Sequence, residues 1–376
     1  MAQSGRPQQR ARALRTLATD NTFRALRTTP RLPAPTGRRR PNMLAVEGQK
    51  QRTIFNARNT ETLPGDIVRT EGAPSTGDPA IDEAYDGLGA TFDFFSEVYD
   101  RNSIDDEGLL LNATVHFSQE YNNAFWNGER MVFGDGDGEL FNRFTISLDV
   151  IGHELAHGVT EDEAQLVYFF QSGALNESVS DVFGSLVKQY VLKQTADQAD
   201  WLIGAGLFTA DVNGVALRSM KAPGTAYDDP VLGQDPQPAH MSDFVQTYED
   251  NGGVHINSGI PNHAFYLVAT RIGGYAWEKA GRIWYDTLRD SQLRPITTFK
   301  RFAQLTLANA QRLYGSSGPN NRPCSRHGMR SGSPCSNGRE MVHAHRTEDR
   351  RGHCPLPRAE PTGGHRECGP LSRGQR

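Results

Sequence analysis

Residues 150–158 read VIGHELAHG, with two histidines four positions apart and a glutamate directly after the first. The surrounding apolar residues suit a helix, where positions i and i+4 share a face. His153 and His157 then turn two imidazoles toward one point while Glu154 lies to the side. A catalytic zinc takes three protein ligands and keeps one position open, so a second element must fold back over this helix. The stretch GALNESVSD at 173–181 offers one: Glu177 follows His157 by twenty residues, and Glu177 and Asp181 again stand at i and i+4. One carboxylate can bind the ion while the other accepts a hydrogen bond from a ligand imidazole and fixes its tautomer. The competing reading, two carboxylates on a solvated helix face, does not explain why the two patterns occur together.

The cysteines restrict the ligand set further. All four, Cys324, Cys335, Cys354 and Cys368, lie in the last 53 residues with no C-x-x-C pair, which reads as a structureless tail rather than a zinc module. Residues 1–323 have none, so a metal in the body is held by His, Asp or Glu. No stretch reaches the roughly 18–20 apolar residues that span a bilayer, and MAQSGRPQQRARALRTLATD lacks the apolar core of a secretory signal. Neither a membrane partner nor export by the usual signal route is expected from the chain as given. Residues 1–58 carry 13 Lys/Arg against 2 Asp/Glu and residues 316–376 carry 11 against 5, which leaves 16 basic and 37 acidic residues between them. So acidic a centre repels a phosphate backbone, which argues against a nucleic-acid partner. It also makes the body the natural partner of the basic N-terminal segment.

The order of elements predicts an α+β chain of two lobes. Residues 1–52 form a basic segment and a Pro/Arg-rich linker. In 53–147, Asp78-Pro79 starts a helix with a buried stripe of Tyr85, Leu88, Phe92, Phe95 and Tyr99, and strands are expected at Thr114–Phe117, Asn123–Trp126 and Glu129–Phe133, the last two joined by Asn127-Gly128. From 148 to 315 the pattern is helical: the histidine helix at the junction, a helix striped by Leu175, Val179, Val182, Phe183, Leu186 and Tyr190, and helices over Asn262–Ile272 and Phe299–Tyr314. Thr298 caps the last helix and Gly315 stops it. In 316–376 only 5 of 61 residues are Val, Ile, Leu, Met, Phe, Tyr or Trp, too few for a core, so this tail is expected to be disordered.

HELAH, GALNESVSD, YNNAFWNG at 121–128 and DNGGVHINSG at 250–259, in that order between Thr53 and Gly315, resemble the thermolysin family of zinc neutral metalloproteinases. The short basic N-terminal segment resembles the propeptide of its protealysin-like branch. The resemblance implies a secreted zinc endopeptidase made as a proenzyme, acting on protein or peptide substrates and inhibited by its own propeptide; with no secretory signal seen, a cytoplasmic location is the alternative. It assigns His153, His157 and Glu177 to one zinc ion, Asp181 and Asn176 to the shell behind them, and Glu154 to the proton of the attacking water. His255 would donate to the oxyanion, oriented by Asp250 and assisted by Tyr168. Asn123 and the Ala124 carbonyl would hold the substrate backbone and Arg218 a substrate carbonyl. Phe141, Val150 and Leu217 would line a pocket for a bulky hydrophobic residue after the scissile bond.

Departures from the family pattern are equally specific. Where relatives often bind two calcium ions, this chain has Lys188, Leu202 and Ala205, with only Asp149 and Asp200 remaining, so calcium is doubtful. Gln165 stands where a small residue is expected, near Tyr168. After Leu313–Gly315 the chain runs into a segment that reads like a shifted frame instead of one more closing helix. These departures leave an alternative of another class: a catalytically impaired zinc-fold protein that only binds peptides.

Overall fold

The computed structural model describes residues 48–315, so the expectations for the N-terminal segment up to residue 47 and for the tail from 316 lie outside the described residues. A five-stranded mixed sheet is built from β1 (Arg52–Asn56), β2 (Asp66–Thr70), β3 (Leu111–Val115), β4 (Ala124–Trp126) and β5 (Met131–Phe133), in the order β2-β1-β3-β5-β4. β1, β3 and β5 run parallel, while β2 and β4 are antiparallel to their neighbours. Among the described residues β4 is therefore an edge strand.

Local chemistry explains where these elements start and stop. Helix α1 (Pro79–Tyr99) begins where the Asp78 carboxylate accepts from the Ala80 and Ile81 N–H groups, with Pro79 in the first turn, where no donor is needed. Its expected stripe, from Tyr85 to Tyr99, is buried. The strand expected at Thr114–Phe117 instead spans Leu111–Val115: pairing with β1 sets its start, and His116, at φ 53°, turns the chain out of the sheet. The expected strand Glu129–Phe133 shortens to β5 because Asn127 Oδ1 accepts from the Glu129 and Arg130 N–H groups, drawing both into the turn.

The second half carries α2 (Leu148–Glu163), α3 (Phe170–Leu192), α4 (Asp250–Asn257), α5 (Gly259–Ile272), α6 (Ala280–Leu288) and α7 (Phe299–Tyr314), with two-residue ribbons between α3 and α4. Every residue of α2 from Asp149 to Thr160 is buried. It crosses α3 at two glycines: a Cβ on Gly152 would lie 3.1 Å from Gly184 Cα, and one on Gly184 would lie 2.2 Å from the Asp149 carbonyl oxygen. That close approach lets polar side chains on the neighbouring turns, His153 and His157 of α2 and Asp181 and Glu177 of α3, meet. One apolar core, including Ile54, Leu88, Phe95, Leu155, Phe183 and Trp284, joins the sheet to the helices.

Candidate metal centre and active site

On α2 the rings of His153 and His157 stand 4.7 Å apart and nearly perpendicular, and α3 brings Glu177 against both. Their ligand atoms form a small triangle. His153 Nε2 and His157 Nε2 are 3.1 Å apart, and each lies 3.5 and 3.4 Å respectively from an oxygen of Glu177. A tetrahedral ion with bonds of roughly 2.0–2.1 Å separates its ligands by about 3.3 Å, so the donor set fits zinc. All three residues are buried, and Glu177 Oε2 is sealed from solvent with no hydrogen-bond partner, as an atom reserved for a cation would be.

Behind the triangle the Nδ1 atoms are taken. His153 Nδ1 lies 2.8 Å from Asp181 Oδ1, while His157 Nδ1 lies 2.7 Å from Asn176 Oδ1 and 3.0 Å from Ser180 Oγ. These contacts leave both Nε2 atoms turned toward the centre. Asp181 is in turn gripped by Arg218 through both oxygens, at 2.6 and 2.8 Å, and by Asn262 Nδ2 at 2.8 Å. Burial alone would raise the Asp181 carboxyl, but Arg218 and His153 outweigh it and hold it well below the usual range. Burial likewise opposes ionisation of Glu177, yet His255, His157, His153 and Arg218 keep it a carboxylate.

The remaining groups face the same space. Glu154 Oε2 accepts from the Trp126 backbone N–H at 3.1 Å, which ties the carboxylate to the edge strand β4. His255 sits on α4, whose first turn is not helical: Asn251, Gly252 and Gly253 have positive φ. Asp250 grips His255 twice, through the ring Nδ1 at 2.6 Å and through the backbone N–H at 2.7 Å. The opposite nitrogen, Nε2, lies 3.2 Å from the Tyr168 hydroxyl and 3.4 Å from Glu177 Oε2, and the Tyr168 hydroxyl donates to Glu177 Oε1.

The residues expected to bind substrate fall into two groups. Ala124 is on β4 and Asn123 directly precedes it, its carbonyl accepting from Gly134 N. Phe141 and Val150 are buried core residues and Leu217 packs partly buried against the same core, while Arg218 is engaged with Asp181. The Lys188 ammonium lies 2.7 Å from Asp149, 3.0 Å from Asp200 and 2.9 Å from the Leu202 carbonyl oxygen. Sequence reasoning missed three contributors. Asn262 carries no motif, Ser180 lies inside GALNESVSD but a small hydroxyl residue there gives no signal of its own, and the Trp126 contribution is a backbone N–H, which no residue type announces.

Two family models match the chain in succession: the thermolysin metallopeptidase catalytic domain over residues 38–161 and the thermolysin metallopeptidase alpha-helical domain over 164–325. The chain is 61% identical over 274 residues to an extracellular metalloprotease of Pectobacterium carotovorum subsp. carotovorum, covering 73% of this chain and 79% of that protein. It is 60% identical over 271 residues to Protease PrtS of a Photorhabdus species, covering 72% and 73% of the two. Among solved structures, the precursor of protealysin, a metalloproteinase from Serratia proteamaculans, superposes with a TM-score of 0.72 at 59% identity, covering 79% of this chain and 93% of that one.

Proposed function

This chain belongs to the thermolysin family of zinc metallopeptidases and is a zinc-dependent endopeptidase, and on that premise we propose how its residues divide the reaction. His153, His157 and Glu177 hold the ion, with Asp181 and Asn176 fixing the imidazoles from behind. When bound, zinc lowers the pKa of water and polarises the scissile carbonyl. Glu154 takes the proton of the attacking water and delivers it to the nitrogen of the leaving amine, its carboxylate aimed by the Trp126 N–H. His255, oriented by Asp250, donates from Nε2 to the oxyanion, and the Tyr168 hydroxyl donates beside it. The triangle of ligand atoms with Glu154 at its side is the observation that carries this reading.

An extended peptide adds to the sheet along β4, the edge strand among the described residues, using the Asn123 side chain and the Ala124 carbonyl. Arg218 holds a substrate carbonyl while keeping its grip on Asp181, and Phe141, Val150 and Leu217 select a bulky hydrophobic residue after the scissile bond. Residues 1–52 act as the inhibitory propeptide, 53–147 and 148–315 as the two catalytic lobes and 316–376 as a dispensable tail. Extracellular release follows the relatives' naming, and among the described residues no helix is long and apolar enough to cross a membrane. The partners in this reading are peptides and the propeptide, without nucleic acid or membrane. Cleavage of a quenched peptide by wild type, with and without a zinc chelator, and by Glu154→Gln tests the assignment. Chelation and the substitution should each lower activity by about 10²-fold or more, the variant retaining one zinc per chain. Activity that survives either treatment overturns the assignment, and chelator-dependent peptide binding without hydrolysis by wild type would favour the impaired binding protein.

A further inference from the structure

His255 stands on the least regular helix of the site. Four residues before Val254 have left-handed φ values, from Asp250 at 51° to Gly253 at 76°, and α4 ends at Asn257 before α5 begins at Gly259. Asp250 holds the ring and the N–H of His255, but both grips come from that non-helical turn. Beyond that turn its ring Nε2 faces Tyr168 and Glu177, and its backbone is held at the carbonyl, where Gln237 Nε2 donates to it at 2.7 Å.

The Gln237 side chain is built into this junction. Its Nε2 also donates to Ser258 Oγ at 3.0 Å, and that hydroxyl donates to the same His255 carbonyl at 3.0 Å. A flipped amide would set Oε1 against a carbonyl oxygen, so the network fixes its orientation. Gln237 is 5% exposed, and its Oε1 is buried with no hydrogen-bond partner. A residue serving packing alone would do better without an unsatisfied acceptor, which costs stability. The segment carrying it is anchored: Asp235 Oδ1 accepts from Gln237 N at 3.1 Å, and Asp235 Oδ2 accepts from Gly224 N at 3.0 Å and Ala226 N at 3.1 Å. Gly259 permits the contact, since a Cβ there would lie 2.6 Å from the Pro238 carbonyl oxygen and 2.9 Å from Gln237 Cβ.

We propose that Gln237 is a positioning residue for catalysis: its amide N–H group fixes the His255 carbonyl and so sets where the His255 ring stands when the oxyanion forms. The inference rests on the oxyanion role given to His255 above. An oxyanion donor displaced by a fraction of an ångström loses transition-state stabilisation while ground-state binding is little changed.

The test is a double-mutant cycle on the zinc-loaded mature enzyme, released from residues 1–52 by cleavage of the folded full chain, with Gln237→Met, which keeps length and volume but has no donor, and His255→Ala. Gln237→Met should lower kcat by about tenfold or more, with KM within about twofold and the zinc content and melting temperature close to wild type. In the His255→Ala background the same change should alter kcat by less than about twofold, because there is no ring left to position. An equal loss in both backgrounds, no loss in either, or a loss that follows the folded fraction overturns the inference. Should Gln237→Met fail to fold, Ser258→Ala, which removes the other donor to that carbonyl, replaces it in the same cycle, and the same outcomes decide. A His255→Ala variant as active as wild type removes the premise instead, by overturning the oxyanion role itself.

Discussion

Gln165 adopts φ 50°, where any side chain beyond glycine crowds its own backbone, at the end of the turn that leaves α2 for Tyr168. Its N–H donates to the Thr160 carbonyl, so the turn itself is sound and only the residue type is unfavourable. That is the physical content of the departure visible in the sequence. Gln165→Gly should raise stability by about 1 kcal/mol in urea unfolding; an unchanged or lower midpoint would show that Gln165 carries no strain there. Asp82 illustrates the opposite case. Burial would raise its carboxyl, but Ser75, the Thr76 and Gly77 N–H groups and the Thr76 hydroxyl bring it down from 3.8 to about 2. A depressed carboxyl stabilises the fold above its unfolded value and loses that contribution as pH falls through its folded value. The stability gap between wild type and Asp82→Asn should therefore be full at about pH 6 and nearly closed at about pH 2. A gap independent of pH would mean that the charge of Asp82 contributes nothing.

At the scale of elements, the site depends on how closely α2 and α3 cross. Both atoms that a Gly184 Cβ would strike, the Asp149 carbonyl oxygen at 2.2 Å and the His153 nitrogen at 2.9 Å, are backbone, so the helices themselves must part. Gly184→Ala should cost about 1–3 kcal/mol of stability and weaken zinc binding by about tenfold, read by urea unfolding and by competition with a chelator. Wild-type affinity in that variant would show that the ligands do not depend on the crossing. Elements with local signals were the legible ones. Helix α7 matches its expected Phe299–Tyr314 span because Thr298 Oγ1 accepts from Arg301 N and Gly315 takes φ 77°. The candidate metal site was legible in part: residue type and helical spacing mark His153 and His157, whereas spacing alone left Glu177 and Asp181 as alternatives and the family resemblance chose between them. β1 and β2 were not: RTIFN and DIVRT are short and polar, and β1 is held by pairing with β3, which is remote in sequence. Helix α6 also escaped notice, since its nine residues start at Ala280 after Lys279, which provides no side-chain cap.

Over the whole molecule, charge placement decides more than any single pair. Lys188 already supplies a cation between Asp149 and Asp200, where Asp149 and Asp200 outweigh the effect of burial and raise its pKa. Millimolar calcium should therefore shift the melting temperature by less than about 2 °C, because an ion that cannot bind the native state cannot stabilise it. A large rise would show that calcium displaces the ammonium or binds elsewhere. On a larger scale, residues 53–315 hold 17 basic against 37 acidic side chains, while residues 1–52 hold 12 against 2. A basic propeptide near so acidic a body is drawn to it over many ångströms, and such attraction is screened by salt in a way that apolar contact is not. Going from about 10 mM to about 1 M salt shortens the screening length from ~30 to ~3 Å. Added to mature enzyme as a separate peptide, residues 1–52 should inhibit peptide hydrolysis, with an inhibition constant that rises by about tenfold or more across that range. Inhibition unaffected by salt would mean that shape and apolar contact dock the segment without help from charge. If the peptide does not inhibit even at low salt, the propeptide assignment itself fails, and another occupant must account for the acidic surface of the body.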